Sequence, residues 1–132
     1  MNINQIKFAL QFLDEFKKKK LPIKILIAVA DNETRLLLAF QNYNNKLSDI
    51  INEYAKKDDE GNVLVSNEQN NKKSIEFDEE REDERIKKMQ EIQNIEIELI
   101  KIPISSLSCV DEDKRYDVLT AEELENLKFM IE

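Results

Sequence analysis

Carboxylates are the most concentrated chemically active side chains in this sequence. Seven of them lie between residues 76 and 84, with Arg81 as the only cation among them. Acids are favoured at a helix N-terminus by its dipole, so a solvated helix start is the first interpretation. The second is a surface that binds a basic partner. The candidate partner-binding residues are Glu76, Asp78, Glu79, Glu80, Glu82, Asp83 and Glu84.

Residues for enzymatic catalysis are scarce. Histidine is absent, which removes the commonest general base and every imidazole-dependent triad. Cys109 is the only cysteine, and the nearby carboxylates of Asp111 and Glu112 disfavour a thiolate. Close carboxylate pairs arise by chance in a chain this acidic, so they do not indicate glycosidase chemistry. The sequence therefore predicts a protein that is not an enzyme, with no catalytic residues and no cofactor.

The sequence also does not indicate a metal-binding or phosphate-binding site. Zinc ligation through Cys and His is excluded by their counts. The run 58–62, Asp-Asp-Glu-Gly-Asn, resembles part of a calcium loop, but Lys56 and Asn67 then occupy the two anchor positions that need acids. One glycine, Gly61, rules out a glycine-rich phosphate loop. The run is interpreted as a turn in which Gly61 supplies a left-handed residue.

The net charge of −8 is unevenly distributed. Residues 1–57 hold ten basic and six acidic residues, whereas residues 58–132 hold ten basic and 22 acidic residues. Lys17–Lys20 suits a helix C-terminus better than a phosphate contact, because the rest of the chain repels nucleic acid. The sequence also lacks a secretion signal and a membrane-length apolar run. We therefore expect a cytoplasmic protein that binds neither nucleic acid nor membrane directly.

Apolar spacing predicts two helices in the first half. The first runs from about Asn4 to Lys19 and ends before Pro22. Residues 23–30 fit a strand by alternation, but also fit a helix that continues to about residue 57, which we favour. A heptad-like seam with spacings of 4, 3, 4, 3 and 4 follows, typical of helix pairing or self-association. Its members are Leu36, Phe40, Tyr43, Leu47, Ile50 and Tyr54.

The second half alternates strands and helices. Val63–Val65 and Ile75–Phe77 are predicted to form a hairpin, followed by a helix from Asp78 to Gln93 and a strand at Ile95–Ile102. Residues 105–117 are interpreted as a loop, and Thr120 to Glu123 as a capping box that starts the last helix. The predicted fold class is α+β in a single domain, 1–132. It is predominantly helical, with one long central helix (about 23–57), flanking helices and a small antiparallel sheet.

Several of these features together resemble a family of small bacteriophage proteins of unassigned function. They are Leu-Pro-Ile-Lys at 21–24 opening a long helix that ends in Tyr54, then Asp-Glu-Gly-Asn at 59–62, a charged helix, an Ile-rich strand and Leu-Thr-Ala-Glu-Glu-Leu at 119–124. The resemblance implies a phage protein that acts inside an infected bacterium. It implies no active site.

These observations predict a non-enzymatic, phage-type protein that binds another protein. The favoured hypothesis is an inhibitor of a host defence factor, in which the acidic run covers a basic nucleic-acid-binding surface. The alternative is a virion structural protein, assembly factor or chaperone that forms homo-oligomers through the long helix. A small-molecule-binding protein is a further alternative, without a supporting motif.

Overall fold

The computed structural model describes residues 1–67 and 73–132 and is predominantly helical. The chain divides into two compact units, one formed by residues 1–41 with 95–132 and the other by residues 42–94. The helices are α1 (Ile3–Phe16), α2 (Ile23–Tyr54), α3 (Glu82–Glu91), α4 (Ile104–Glu112) and α5 (Ala121–Asn126), and the strands are β1 (Val65–Asn67) and β2 (Lys73–Ile75).

Helix α1 begins with a capping box. The side chain of Asn2 accepts a hydrogen bond from the Gln5 amide, and the Gln5 side chain accepts one from the Asn2 amide. These bonds satisfy N–H groups that have no partner within the helix. The predicted helix is therefore present, but it ends at Phe16, so that Lys17–Lys20 belongs to the turn after it. Its buried face consists of Ile6, Ala9, Leu13 and Phe16.

Helix α2 spans 32 residues, or about 48 Å, and confirms the prediction of one long helix. Pro22 stands just before its first residue, and the Pro22 carbonyl accepts hydrogen bonds from the amides of Ile25 and Leu26. Residues 23–30 are thus helical and not extended. The buried positions follow helical spacing and not alternation, because Ile25, Ala28, Val29, Asn32 and Leu36 face the core.

Asn32 is the one polar residue fully buried among the described positions. Its Nδ2 donates to the Ile100 carbonyl at 2.9 Å, and its Oδ1 accepts from the Ile100 amide at 2.7 Å. Arg35, one turn further along α2, donates to the Glu98 carbonyl. Side chains of α2 therefore supply hydrogen bonds to the backbone of segment 95–102 that a neighbouring strand would otherwise supply.

The predicted strand at Ile95–Ile102 is wrong for this reason. Its alternating side chains do pack towards the core, with Ile102 buried and Ile95 and Ile97 half-buried. Its backbone, however, bonds to Met1, to the Asn32 side chain and to the C-terminal residues Met130 and Glu132. Alternating apolar side chains indicate that one face of an extended segment is buried. In segment 95–102 that face is buried although the segment is not part of a sheet.

Residues 104–112 form helix α4, which corrects the predicted loop at 105–117. Pro103 is extended (φ −61°, ψ 138°) and stands at the N-cap of the helix, so it starts a helix where we expected it to end a strand. Leu107 and Val110, three residues apart, are buried in the core. Downstream, the Thr120 hydroxyl accepts from the Glu123 amide and the Glu123 carboxylate accepts from the Thr120 amide, which confirms the predicted capping box.

The unit formed by residues 42–94 holds a small antiparallel hairpin. Val65 pairs with Ile75 and Asn67 with Lys73, and the connecting residues 68–72 lie outside the described residues. Only this pair forms a sheet in the described parts of the chain, so the predicted small antiparallel sheet is not confirmed beyond this hairpin. Gly61 has φ +84°, which confirms its place as the left-handed residue of a turn. Oδ1 of Asp58 accepts from the Glu60 and Asn62 amides in that turn.

Replacing Asn32 with Ala should lower the free energy of unfolding by about 2–4 kcal/mol. The Ile100 N–H and C=O would both lose their partner in a part-buried environment, and each unsatisfied group costs about 1–3 kcal/mol. Urea denaturation followed by circular dichroism measures the change. Asn45→Ala is the matched control, since Asn45 is exposed on the same helix, and it should change stability by less than about 0.5 kcal/mol. Equal effects of the two substitutions would contradict the assigned role of Asn32.

Candidate partner-binding site

The seven predicted site residues, called here the acidic cluster, surround the start of α3. The Asp78 side chain caps a 3-10 turn at Glu79–Arg81 by accepting from the Glu80 amide. That turn leads directly into α3, whose first turn carries three more acids. This arrangement fits the simpler interpretation of the run as a helix start, because carboxylates there oppose the positive end of the helix dipole.

The cations within and after the cluster lie against aromatic rings. The Arg81 guanidinium is 4.4 Å from the centre of the Tyr54 ring, and the Arg85 guanidinium is 4.3 Å from the centre of the Phe77 ring. The Lys88 ammonium lies 5.5 Å from the Tyr54 ring centre. Cations within about 6 Å of a ring face are attracted by its quadrupole. Tyr54 is 1% exposed as a result of this packing.

Glu53 holds two of these cations in place. Its carboxylate is 3.0 Å from the Lys88 Nζ and 3.2 Å from the Arg81 Nη2. The hydrogen bond from Lys88 is the main cause that lowers the pKa of Glu53, and the bond from Arg81 adds to it. The same pairing raises the pKa of Lys88. Glu53 lies outside the predicted acidic cluster, yet its carboxylate binds both Arg81 and Lys88.

Three of the seven acids have partners within the chain. Glu84 is 3.1 Å from Arg81 and accepts a hydrogen bond from the Tyr54 hydroxyl, and Glu82 is 3.9 Å from Arg85. Asp78 is half-buried and serves as the cap. The other four are exposed and form no ion pair with any described residue: Glu76, Glu79, Glu80 and Asp83. These four carboxylates leave a surface of uncompensated negative charge.

A shallow pocket of about 420 Å³ opens beside this surface, lined by Phe77, Asp78, Glu79, Glu82 and Arg85. The Nε of Arg85 is buried there without a hydrogen-bond acceptor. Three carboxylates in the lining against one guanidinium make the pocket net acidic. Its chemistry suits the positively charged side chain of a partner better than an anion.

The sequence analysis did not identify the three cations that lie against aromatic rings, although their spacing gives a signal. Arg81, Arg85 and Lys88 are spaced four and three apart, which places them on one face of a helix. Ile86, Met89 and Ile92 also recur at helical spacing, but α3 has no fully buried residue and Ile86 is 41% exposed. Long cationic side chains cover apolar surface with their stems, and here they cover aromatic rings.

The six residues of the predicted self-association seam differ in how far they are buried within the chain. Leu36, Ile50 and Tyr54 are buried within the chain, whereas Phe40, Tyr43 and Leu47 are half-buried. Three of the six residues are thus already used for the packing of this chain. Leu36 belongs to the core of the unit 1–41 with 95–132, and Tyr54 to the cation-covered site of the other unit.

The basic run at Lys17–Lys20 is largely neutralised by ion pairs. Lys17 lies 3.0 Å from Glu33 and 3.2 Å from Asp14. Lys18 lies 3.1 Å from Glu15, and Lys19 lies 3.1 Å from Glu123. Cations paired in this way offer little to a phosphate group.

Residues 1–67 and 73–132 contain no group of three or more His, Cys, Asp or Glu side chains that could hold a metal ion. Among the helices of those same residues, none has both the length and the apolar character that crossing a membrane requires. The backbone of Cys109 lies within α4 and not in the predicted loop.

The chain matches no protein-family model, no curated protein and no solved structure. The resemblance to small bacteriophage proteins therefore stays a prediction.

Replacing Lys88 with Met should raise the pKa of Glu53 towards its ordinary value near 4.5, because the hydrogen bond from Lys88 is the largest cause of the lowered pKa. Carboxyl-detected NMR titration of the full chain measures this midpoint. Since pairing depresses the pKa of Glu53, its contribution to stability exists above the unfolded-state pKa and disappears as the pH falls through the folded-state pKa. Lys87→Met, an exposed neighbour on the same helix, should leave the midpoint unchanged. An unchanged midpoint in Lys88→Met would contradict the assigned pairing.

Proposed function

We propose that this protein is a non-enzymatic binding protein that engages a basic surface of another protein through the acidic cluster. The observation that carries the proposal is the set of four exposed carboxylates without a cation. The nearby cations Arg81, Arg85 and Lys88 stack on Tyr54 and Phe77 or bind Glu53, and within the cluster they pair only with Glu84 and Glu82. The negative charge is thereby left for a partner.

The nature of the partner follows from the charge. A basic protein surface that is exposed in a cell commonly binds nucleic acid, whose phosphates it contacts through Lys and Arg. The acidic cluster presents the same sign of charge as a phosphate backbone. We therefore propose a nucleic-acid-binding host protein as the partner, and inhibition by occupation of its binding groove as the mechanism. With the phage resemblance, a host defence nuclease is the favoured target.

Charge of this kind acts on the association rate more than on the lifetime of a complex. Exposed charges at the rim of an interface steer the partner during approach, and their effect weakens with ionic strength. The screening length falls from about 10 Å at 0.1 M salt to about 3 Å at 1 M. Capture of the partner should therefore depend steeply on salt.

The test is affinity capture from bacterial lysate with the tagged full chain, at about 0.1 M and 1 M salt. The wild-type chain should retain a basic nucleic-acid-binding protein at low salt and lose it at high salt. The variant Glu79→Lys/Glu80→Lys/Asp83→Lys should lose it at both. With the purified partner, we expect at least a roughly tenfold lower affinity for this variant, mainly through the association rate. The wild-type chain should also compete with the nucleic acid of that partner.

The matched control is Glu91→Lys/Glu96→Lys/Glu112→Lys. These three acids are exposed, lie outside the acidic cluster and have no ion pair with a described residue. Both triple variants change the net charge by the same amount, so the comparison separates the position of the charge from its total. Equal capture by the wild-type chain and both variants would refute the proposal. Equal loss in both variants would attribute binding to net charge and not to the cluster.

A further inference from the structure

A cavity of about 580 Å³ lies between the start of α1 and residues 125–129, within the unit formed by residues 1–41 and 95–132. Its volume is in the range of about 300–1,000 Å³ that is usual for small-molecule sites. The lining includes two phenylalanine rings, four amide side chains and one carboxylate. The acidic cluster takes no part in this cavity, because the cluster belongs to the other unit.

The two rings leave their faces available to a ligand. Phe8 is 55% exposed and is the most exposed of the six phenylalanines, all of which the structure describes. Phe129 is half-buried in the 3-10 turn at Lys128–Met130. Among the described residues, neither ring stacks on another aromatic ring or on a cation. Open aromatic faces favour a flat ring as the ligand, because stacked rings attract each other beyond the burial of their area.

The amide side chains present hydrogen-bonding groups to the edge of such a ring. Asn2 and Gln5 use their oxygens to accept from each other's backbone amides, so their NH₂ groups stay available as donors. Asn4 and Asn126 form no side-chain hydrogen bond with a described residue, and Asn126 is half-buried. A free amide offers a donor and an acceptor side by side. The ligand edge that matches it carries an acceptor next to a donor.

The charges at the cavity favour an uncharged ligand. No lysine or arginine side chain lines it within the described part of the chain. The Glu125 carboxylate is the one charged side chain of the lining, and it lies 2.7 Å from Lys128. The ammonium of Met1 donates to the Ile95 carbonyl at 2.9 Å. A phosphate group would therefore meet a carboxylate and no guanidinium fork of the kind that binds phosphates.

We propose that this cavity binds the adenine ring of an uncharged nucleoside. The ring stacks on Phe8 and Phe129, and the Asn126 amide exchanges two hydrogen bonds with the adenine edge, where the N6 donor stands beside the N7 acceptor. The site goes beyond the proposed function and is independent of it. Because the cavity is shallow and open, we expect a dissociation constant for adenosine on the order of 0.1–1 mM.

The test is NMR titration of the isotope-labelled full chain with adenosine. Shift changes should be centred on Phe8, Asn126 and Phe129. Phe8→Ala should weaken binding about tenfold, and Phe8→Leu, which keeps apolar volume but removes the ring, about fivefold. Asn126→Ala should weaken binding about fivefold. N6,N6-dimethyladenosine, which lacks the N6 donor, should bind the wild-type chain about fivefold more weakly than adenosine, but should bind Asn126→Ala as well as adenosine does.

Asn45→Ala is the matched control, since Asn45 is exposed on α2 and belongs to the other unit. It should leave the affinity unchanged, and circular dichroism checks the fold of every variant. Absence of shifts at about 5 mM adenosine overturns the proposal, and so does wild-type affinity in Phe8→Leu or Asn126→Ala. Adenosine monophosphate or a short oligo-deoxyadenylate that binds more than about tenfold tighter overturns the assignment to an uncharged nucleoside. Capture of the basic partner should be the same for Phe8→Ala and the wild-type chain, which keeps the two proposals separable.

Discussion

The two hydrogen bonds between the Asn32 side chain and the Ile100 backbone are the constraint on which one unit depends. A buried peptide group without partners is costly. Apart from one bridge between Ile102 and Ile131, segment 95–102 pairs with no strand in the described parts of the chain. An asparagine side chain carries one donor and one acceptor group that match a peptide. By placing it at the centre of the buried face of α2, the fold lets an extended, isoleucine-rich segment join a helical core.

A related substitution shapes the other unit. Arg81, just before α3, and Arg85 and Lys88 within α3 cover Tyr54 and Phe77 where apolar residues would be usual. The stems of these side chains cover the rings, and their charges interact with the ring faces. Arg81 and Lys88 also pair with the carboxylate of Glu53. Within the acidic cluster these cations pair only with Glu84 and Glu82, so the other exposed carboxylates of the cluster have no ion pair with a described residue. Charge separation at the surface is thus a consequence of how the interior of this unit is covered.

Helix α2 contributes to both units and offers different surfaces along its length. Its inner side provides Ile25, Asn32 and Leu36 to the core. The acidic cluster lies instead at the start of α3, in the unit formed by residues 42–94.

The sequence by itself determined the features that depend on neighbouring residues. Helices α1 and α2, the Thr120 capping box and the left-handed Gly61 follow from spacing, capping and backbone freedom within a few positions. It also located the acidic cluster as a set of residues. Only the tertiary structure decided which of those acids are uncompensated, that segment 95–102 is not a strand and that residues 104–112 are a helix. These outcomes depend on contacts between distant residues, such as Asn32 with Ile100 and Glu53 with Lys88, whose energies local patterns do not encode.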